Sequence, residues 1–340
     1  MKNNYKIVCN TAAGRRRYMQ YLVPQVVCCD IIDRYDIWVN TMDARDIEFF
    51  RMLAKQYPKI RLVWQPDGII DGNNSINAFY KDCCDEDTIY IKLDDDIVWI
   101  ESGYFEKIVQ FRIDNPQYFL ISPLVINNQK STYILQCKDL LPLEKYRRAD
   151  PFDKILLKSG KFAKELHQWF ISNYLTKEQY QNLHCGTYPM GITRFSINSI
   201  VWFGRQMKSF GGIVEGDDEE FLSSIKPTQL RQSNCLYGDA IIAHFAFGPQ
   251  RKQLDATNLL QQYGDYLHEK WKQDPQLKEI DTYVQSCLKT VNEYTEEDIK
   301  NLSFPPYKCP IKENKLKRRL IFLWGRILYG KKPYIKSTVG

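Results

Sequence analysis

The chain reads as an α/β protein built on a mixed, mostly parallel sheet flanked by helices, with a helical insertion and further helices toward the C-terminus. Three observations predict it. Short apolar runs rich in Val, Ile, Tyr and Trp recur through the first hundred residues, as strands do. Segments with apolar residues at helical spacing separate them. The polar loops follow the ends of those runs, where open parallel sheets bind ligands.

Residues 5–10 (YKIVCN) form the first expected strand and lead into a loop from Thr11 to Arg17. A helix is expected from Arg17 to about Val23, where Pro24 lacks the N–H needed to continue it. Residues 36–40 (DIWVN) are the second strand. Between Ala44 and Gln56, Ile47, Phe50 and Leu53 or Ala54 share one helical face. Residues 61–64 (RLVW) are the third strand. Residues 75–83 place Ile76, Phe79 and Tyr80 on one side of a helix. Residues 88–93 (TIYIKL) are the fourth strand and run straight into Asp94-Asp95-Asp96.

Beyond that point, residues 127–188 are charged, with helical segments near 158–174, and read as an insertion. Residues 195–203 look like a strand returning to the core, and residues 254–300 are helical with mixed charge. The expected organisation is one α/β domain over residues 1–253, a helical extension over 254–310 and a basic tail over 311–340.

At roughly 150 residues per domain, 340 residues suit one large domain with an appendage, enough to bury a core without disulfides. The 44% hydrophobic and 26% charged content is that of a soluble globular protein. Ten cysteines suggest neither zinc nor a disulfide framework. Cys28-Cys29 and Cys83-Cys84 are adjacent pairs, and no CxxC cluster occurs. Reduced cysteines in a cytoplasmic chain are the expectation. No stretch reaches the ~18 apolar residues of a membrane span, and no secretory apolar segment follows Met1. The net charge of +6 is concentrated. Residues 311–340 carry nine basic residues against Glu313, so the tail holds +8 and the other 310 residues −2. A slightly acidic body argues against nucleic acid as a partner.

Asp94-Asp95-Asp96 is the main chemical signal. Three consecutive carboxylates repel one another, and a divalent cation is the simplest compensation. If they extend the strand, Asp94 and Asp96 point to the same face. The bland reading is an acidic turn capping a helix that begins with Ile97, Val98 and Ile100. Asp217-Asp218-Glu219-Glu220 precedes Phe221-Leu222, and so reads as a helix N-terminus complemented by acids or as a carboxylate base. His244 is the one polar residue in an apolar run, either a satisfied core histidine or a nitrogen ligand beside the carboxylates. Arg15, Arg16 and Arg17 form either a solvated face or a phosphate contact.

The order of these parts resembles the GT-A glycosyltransferases, particularly bacterial enzymes of capsule or surface polysaccharide assembly. The resemblance is carried by Ser75-Ile76-Asn77, Asp85 through Asp96, Arg194 through Asn198, Trp202-Phe203-Gly204, Asp217 through Leu222, and His244 through Phe247. It spans about residues 5–250. It implies a Rossmann-like nucleotide-diphospho-sugar fold and a DxD motif in which Asp96 binds Mn²⁺ or Mg²⁺. Asp94 then lies near the ribose or the cation, with Asp95 as its substitute, and His244 completes the metal site. It implies Asp218, with Asp217 in reserve, as the base for an inverting transfer. Thr11, Arg15, Asn40 and Asn77 become contacts to a UDP- or GDP-linked sugar donor. The acceptor is a glycan or lipid-linked glycan, shaped by residues 127–188.

Two rivals remain. A sugar-nucleotide-forming nucleotidyltransferase needs a glycine-rich loop after the first strand, and here there is only Gly14. A non-catalytic binding module sits poorly with intact acids and histidine. The tail, with Leu316, Leu320, Leu323, Ile327 and Tyr329 roughly on one side and lysines and arginines around the rest, has the composition of a helix lying on an anionic membrane surface. That would make the protein peripheral on the inner face of the cell membrane.

Overall fold

The computed structural model describes residues 4–308. A nine-stranded sheet runs through them. Its strands are β1 (Lys6–Ala13), β2 (Arg34–Val39), β3 (Ile60–Trp64), β4 (Thr88–Leu93), β5 (Ile97–Ile100), β6 (Ile121–Ile126), β7 (Thr187–Gly191), β8 (Ser199–Phe203) and β9 (Asn234–His244). The spatial order is β3-β2-β1-β4-β8-β6-β9-β5, with β7 also paired to β9. β3, β2, β1 and β4 are parallel. β8 runs against both β4 and β6. β6 and β9 are parallel again, and β5 and β7 oppose β9. The fold is therefore mixed α/β, as expected.

Every residue of β4 and β6 is buried, which is what a strand covered on both faces requires. The core on one face joins Ile7, Cys9, Ile89 and Ile91 to Leu22 and Val26 of the helix Arg16–Val27 and to Phe49, Phe50 and Leu53 of the helix Ala44–Gln56. Ile280, Val284 and Val291 of the helix Pro275–Glu293 belong to the same core.

Several local expectations change. The first helix does not stop at Val23 but continues to Val27 with Pro24 inside it. Its buried residues lie on both sides of the proline, and this packing outweighs a penalty of about 3 kcal/mol. Residues 72–82 form a 3-10 helix, Gly72–Asp82, rather than an α-helix. Only Ser199–Phe203 of the 195–203 run is strand. Ile97–Ile100 is a strand and not the start of a helix. Residues 311–340, including the expected amphipathic tail, lie outside the described residues. Among the described residues no helix is long and apolar enough to cross a membrane.

Candidate functional site

β4 ends at Leu93, and the Ile97 amide donates to the Asp94 carbonyl at 3.2 Å. The acidic triplet therefore occupies a tight turn between β4 and β5, not an extension of the strand. The expected strand alternation is not what brings Asp94 and Asp96 together; the turn does. Two backbone bonds fix the neighbourhood. The Asp94 amide donates to the Asn198 carbonyl at 2.9 Å, and the Phe245 amide donates to the Asp96 carbonyl at 2.8 Å. The second holds the end of β9, and with it His244, beside the turn. Asp94, Asp96 and His244 each offer one ligand atom, all within 4.8 Å of one another.

The donor set suits a cation. His244 Nδ1 lies 3.3 Å from the Asn127 carbonyl oxygen, which can only accept, so the ring proton sits on Nδ1. Nε2 then faces Asp96 Oδ1 at 3.3 Å. A lone pair directed at a carboxylate is repelled unless a proton or a metal ion lies between them. A carbonyl behind the imidazole of a ligating histidine is a common way to orient it. Asp96 is buried, and Arg15 and Arg251 each approach its Oδ2 at 3.2 Å. Burial works to raise its carboxyl, but the Arg15 guanidinium, His244 when a proton sits on its Nε2, and Arg251 outweigh that and hold it well below the usual carboxylate range.

Asp95 turns the other way. It accepts from the Gly14 amide at 3.0 Å and from Arg15 Nε at 2.9 Å, and it also pairs with the Arg15 Nη2. Its role in the fold is to anchor the loop after β1 against the turn. Lys92 supplies the remaining positive charge. Its buried Nζ donates to Asp94 Oδ1 at 2.6 Å and to the Ile197 carbonyl at 3.1 Å. Burial opposes the ammonium form, yet Asp94 and Asp218 keep its pKa above the ordinary value.

Asp218 is a further carboxylate whose charge interacts with Lys92 and Asp94. The Asp217 side chain caps the short helical turn Asp218–Glu220 by accepting from the Glu220 amide at 3.2 Å, so the helix-terminus reading of this cluster holds for Asp217. Arg194 ties the segment down through Asp217 and Glu219, both at 2.8 Å. Asp218 is only half-buried and accepts from the Tyr80 hydroxyl at 3.2 Å. Burial pushes its carboxyl above the ordinary value; Lys92 opposes and Asp94 adds to the rise.

These groups line one cleft of about 800 Å³ that includes Arg15, Asn40, Lys92, Asp94, Asp95, Asp96, Asp217, Asp218 and His244. That volume suits a nucleotide-sized ligand. Two expected residues do not line it. Thr11 is fully buried inside β1 with its hydroxyl accepting from Tyr35 at 3.0 Å, because the strand extends to Ala13 instead of ending at Asn10. Asn77 donates to the Gly216 carbonyl at 2.8 Å and thereby joins the 3-10 helix to the Asp217 loop. Asn40 lines the rim, bonded to Gly72 and Ser75.

Sequence reasoning passed over Lys92, Arg251 and Phe152. A lysine in the otherwise apolar run TIYIKL, two residues before the triplet, was a readable signal for the first. Arg251 has a buried Nε with no hydrogen-bond partner and lies in the helix Gly248–Asp255, beyond the end of β9 at His244, so no single periodic pattern links the two.

No protein-family model matches the chain, and no curated protein matches it. Its fold is similar to several solved structures at low identity. One is a mycobacterial protein at 12% identity and TM-score 0.41, covering 77% of this chain and 76% of that one. A second is CMP:2-keto-3-deoxy-manno-octonic acid synthetase complexed with CTP, at 12% identity and TM-score 0.38, covering 74% and 98%. A third is mannose-6-phosphate isomerase from Helicobacter pylori, at 11% identity and TM-score 0.33, covering 71% and 98%. Likenesses this distant carry no argument about reaction or substrate, which must come from the cleft itself.

Proposed function

We propose that this chain is a cation-dependent glycosyltransferase of the GT-A type. It would move a sugar from a UDP- or GDP-linked donor to a hydroxyl of a glycan or lipid-linked glycan, with inversion. The observation that carries this reading is the pairing, in one cleft, of a cation-suited trio (Asp94, Asp96, His244) with a separate carboxylate, Asp218, raised by burial.

A bound Mn²⁺ or Mg²⁺ would neutralise the developing charge on the diphosphate. The protein's own groups do the rest. His244, oriented by the Asn127 carbonyl, would hold the cation together with Asp94 and Asp96. Arg251, whose side chain is partly exposed in the cleft wall, is placed to donate to phosphate oxygens, while Arg15 stays bound to Asp95. Asp218 accepts the proton of the acceptor hydroxyl. The acceptor oxygen forms the new bond to the anomeric carbon from the face opposite the diphosphate. The carbon–oxygen bond to the diphosphate breaks, and the nucleoside diphosphate leaves with the electron pair. The polysaccharide setting and a membrane contact through residues 311–340 belong to this reading and rest on the sequence alone.

The nucleotidyltransferase reading places three arginines directly after β1, where a triphosphate would bind. Each is already engaged: Arg15 by Asp95, Arg16 by Asp46 at 2.6 Å and Arg17 by Asp255 at 3.0 Å. Product analysis separates the two reactions. Release of nucleoside diphosphate from a UDP- or GDP-sugar supports glycosyl transfer. Pyrophosphate release from a nucleoside triphosphate and a sugar 1-phosphate, without the former activity, replaces it with nucleotidyl transfer.

A further inference from the structure

Two acidic segments line the cleft. Asp94, Asp95 and Asp96 are paired with Lys92, Arg15 and Arg251. Asp217 and Glu219, on either side of Asp218, are paired with Arg194. An aromatic ring stands in the same wall. Phe152, in the segment preceding the helix Lys154–Lys158, is 60% exposed and lines the cleft. The Arg194 guanidinium lies over its ring at 4.9 Å from the centroid. Arg194 is thus a hub. It supports the Phe152 ring on one face while holding the acidic segment on the other side through two 2.8 Å ion pairs.

A single exposed ring is ordinary on a protein surface, but Phe152 stands in the wall of a cleft with one face supported by Arg194, and such a ring offers its other face to a ligand. Carboxylates beside it accept hydrogen bonds from hydroxyls and repel anions. We propose that Phe152, backed by Arg194, is the platform of the acceptor subsite, and that it takes an uncharged sugar ring. The apolar C–H face of the sugar packs on Phe152 while its hydroxyls reach the Asp217–Glu219 segment. An acceptor with a carboxylate or phosphate on that ring is excluded by the same acids. The inference rests on the glycosyltransferase reading and narrows its acceptor class.

Saturation-transfer NMR on the full chain with diamagnetic Mg²⁺ and UDP or GDP tests it, using methyl glycosides of neutral hexoses and methyl glucuronide as probes. Neutral glycosides are expected to bind the wild-type protein, and the glucuronide is not. F152A should weaken neutral binding about fivefold, the scale of a lost aromatic contact, and F152W should restore it. Thermal unfolding of F152A, at an exposed position, controls for folding. Equal neutral binding to wild type and F152A, glucuronide binding as tight as the neutral sugars, or nucleotide uptake with no glycoside binding each overturns the acceptor assignment alone. Failure to take up any nucleoside diphosphate removes the parent reading instead.

Discussion

His244 Nε2 faces Asp96 Oδ1 across 3.3 Å, while its Nδ1 is committed to the Asn127 carbonyl. This relationship makes the imidazole a ready nitrogen ligand. Substituting Asp96 by Asn keeps the volume and removes the charge. It is expected to abolish cation-dependent stabilisation by nucleoside diphosphate and to lower kcat/KM on the order of a thousandfold. Activity within a few-fold of wild type for D96N would mean that the trio is not the metal site.

Asp218 should behave as a base with a raised pKa. A base acts deprotonated, so the rate falls as pH drops through its value. Burial lifts that value, so the acid limb of kcat/KM is expected above the range of an ordinary aspartate. D218N is expected to lose about 10²- to 10⁴-fold in kcat with the donor KM little changed. Steady-state kinetics across pH check both.

Lys92 opposes the rise at Asp218. K92M removes that positive charge, so protonation of Asp218 becomes easier and the acid limb should move to still higher pH. A limb that stays in place, or moves down, would show that Lys92 does not act on Asp218.

The triplet is already balanced: three acids face Lys92, Arg15 and Arg251. Adding a divalent ion alone leaves excess positive charge, whereas an ion with a diphosphate does not. Calorimetry should therefore find weak Mn²⁺ binding without nucleotide and markedly tighter binding with it. Equal affinity in both titrations would contradict this charge balance.

Gly204 follows β8 where a Cβ would lie 2.0 Å from the Asp85 carbonyl oxygen. Backbone cannot yield as a side-chain tip does, so G204A is expected to cost about 1–3 kcal/mol, read as a lowered denaturation midpoint with the slope unchanged.

What could be read from the sequence was what local pattern encodes. β4 and the helix Ala44–Gln56 appear at their expected bounds, because a continuous apolar run and a 3.6-residue period are local signals. Asp94 and Asp96 were legible because an acidic triplet after such a run is conspicuous, whereas His244 joined them only through the resemblance, since a lone histidine in an apolar run fits a core residue as well. The turn geometry was not, since Asp94-Asp95-Asp96 looks the same extended or folded. β6 and β7 passed unread, because their places depend on pairing with β9, more than a hundred residues beyond β6. Arg251 and Phe152 reach the cleft only through tertiary packing, and no spacing in the chain announces them.

Thermal unfolding with UDP, GDP and CMP, in Mn²⁺ and then in EDTA, tests the central claim most directly, because a ligand stabilises the state that binds it. A shift with one nucleoside diphosphate that vanishes in EDTA, and that is absent in both D96N and H244Q, is the predicted result. A shift that survives EDTA, or no shift with any diphosphate, would contradict a cation-dependent nucleotide site at Asp94, Asp96 and His244.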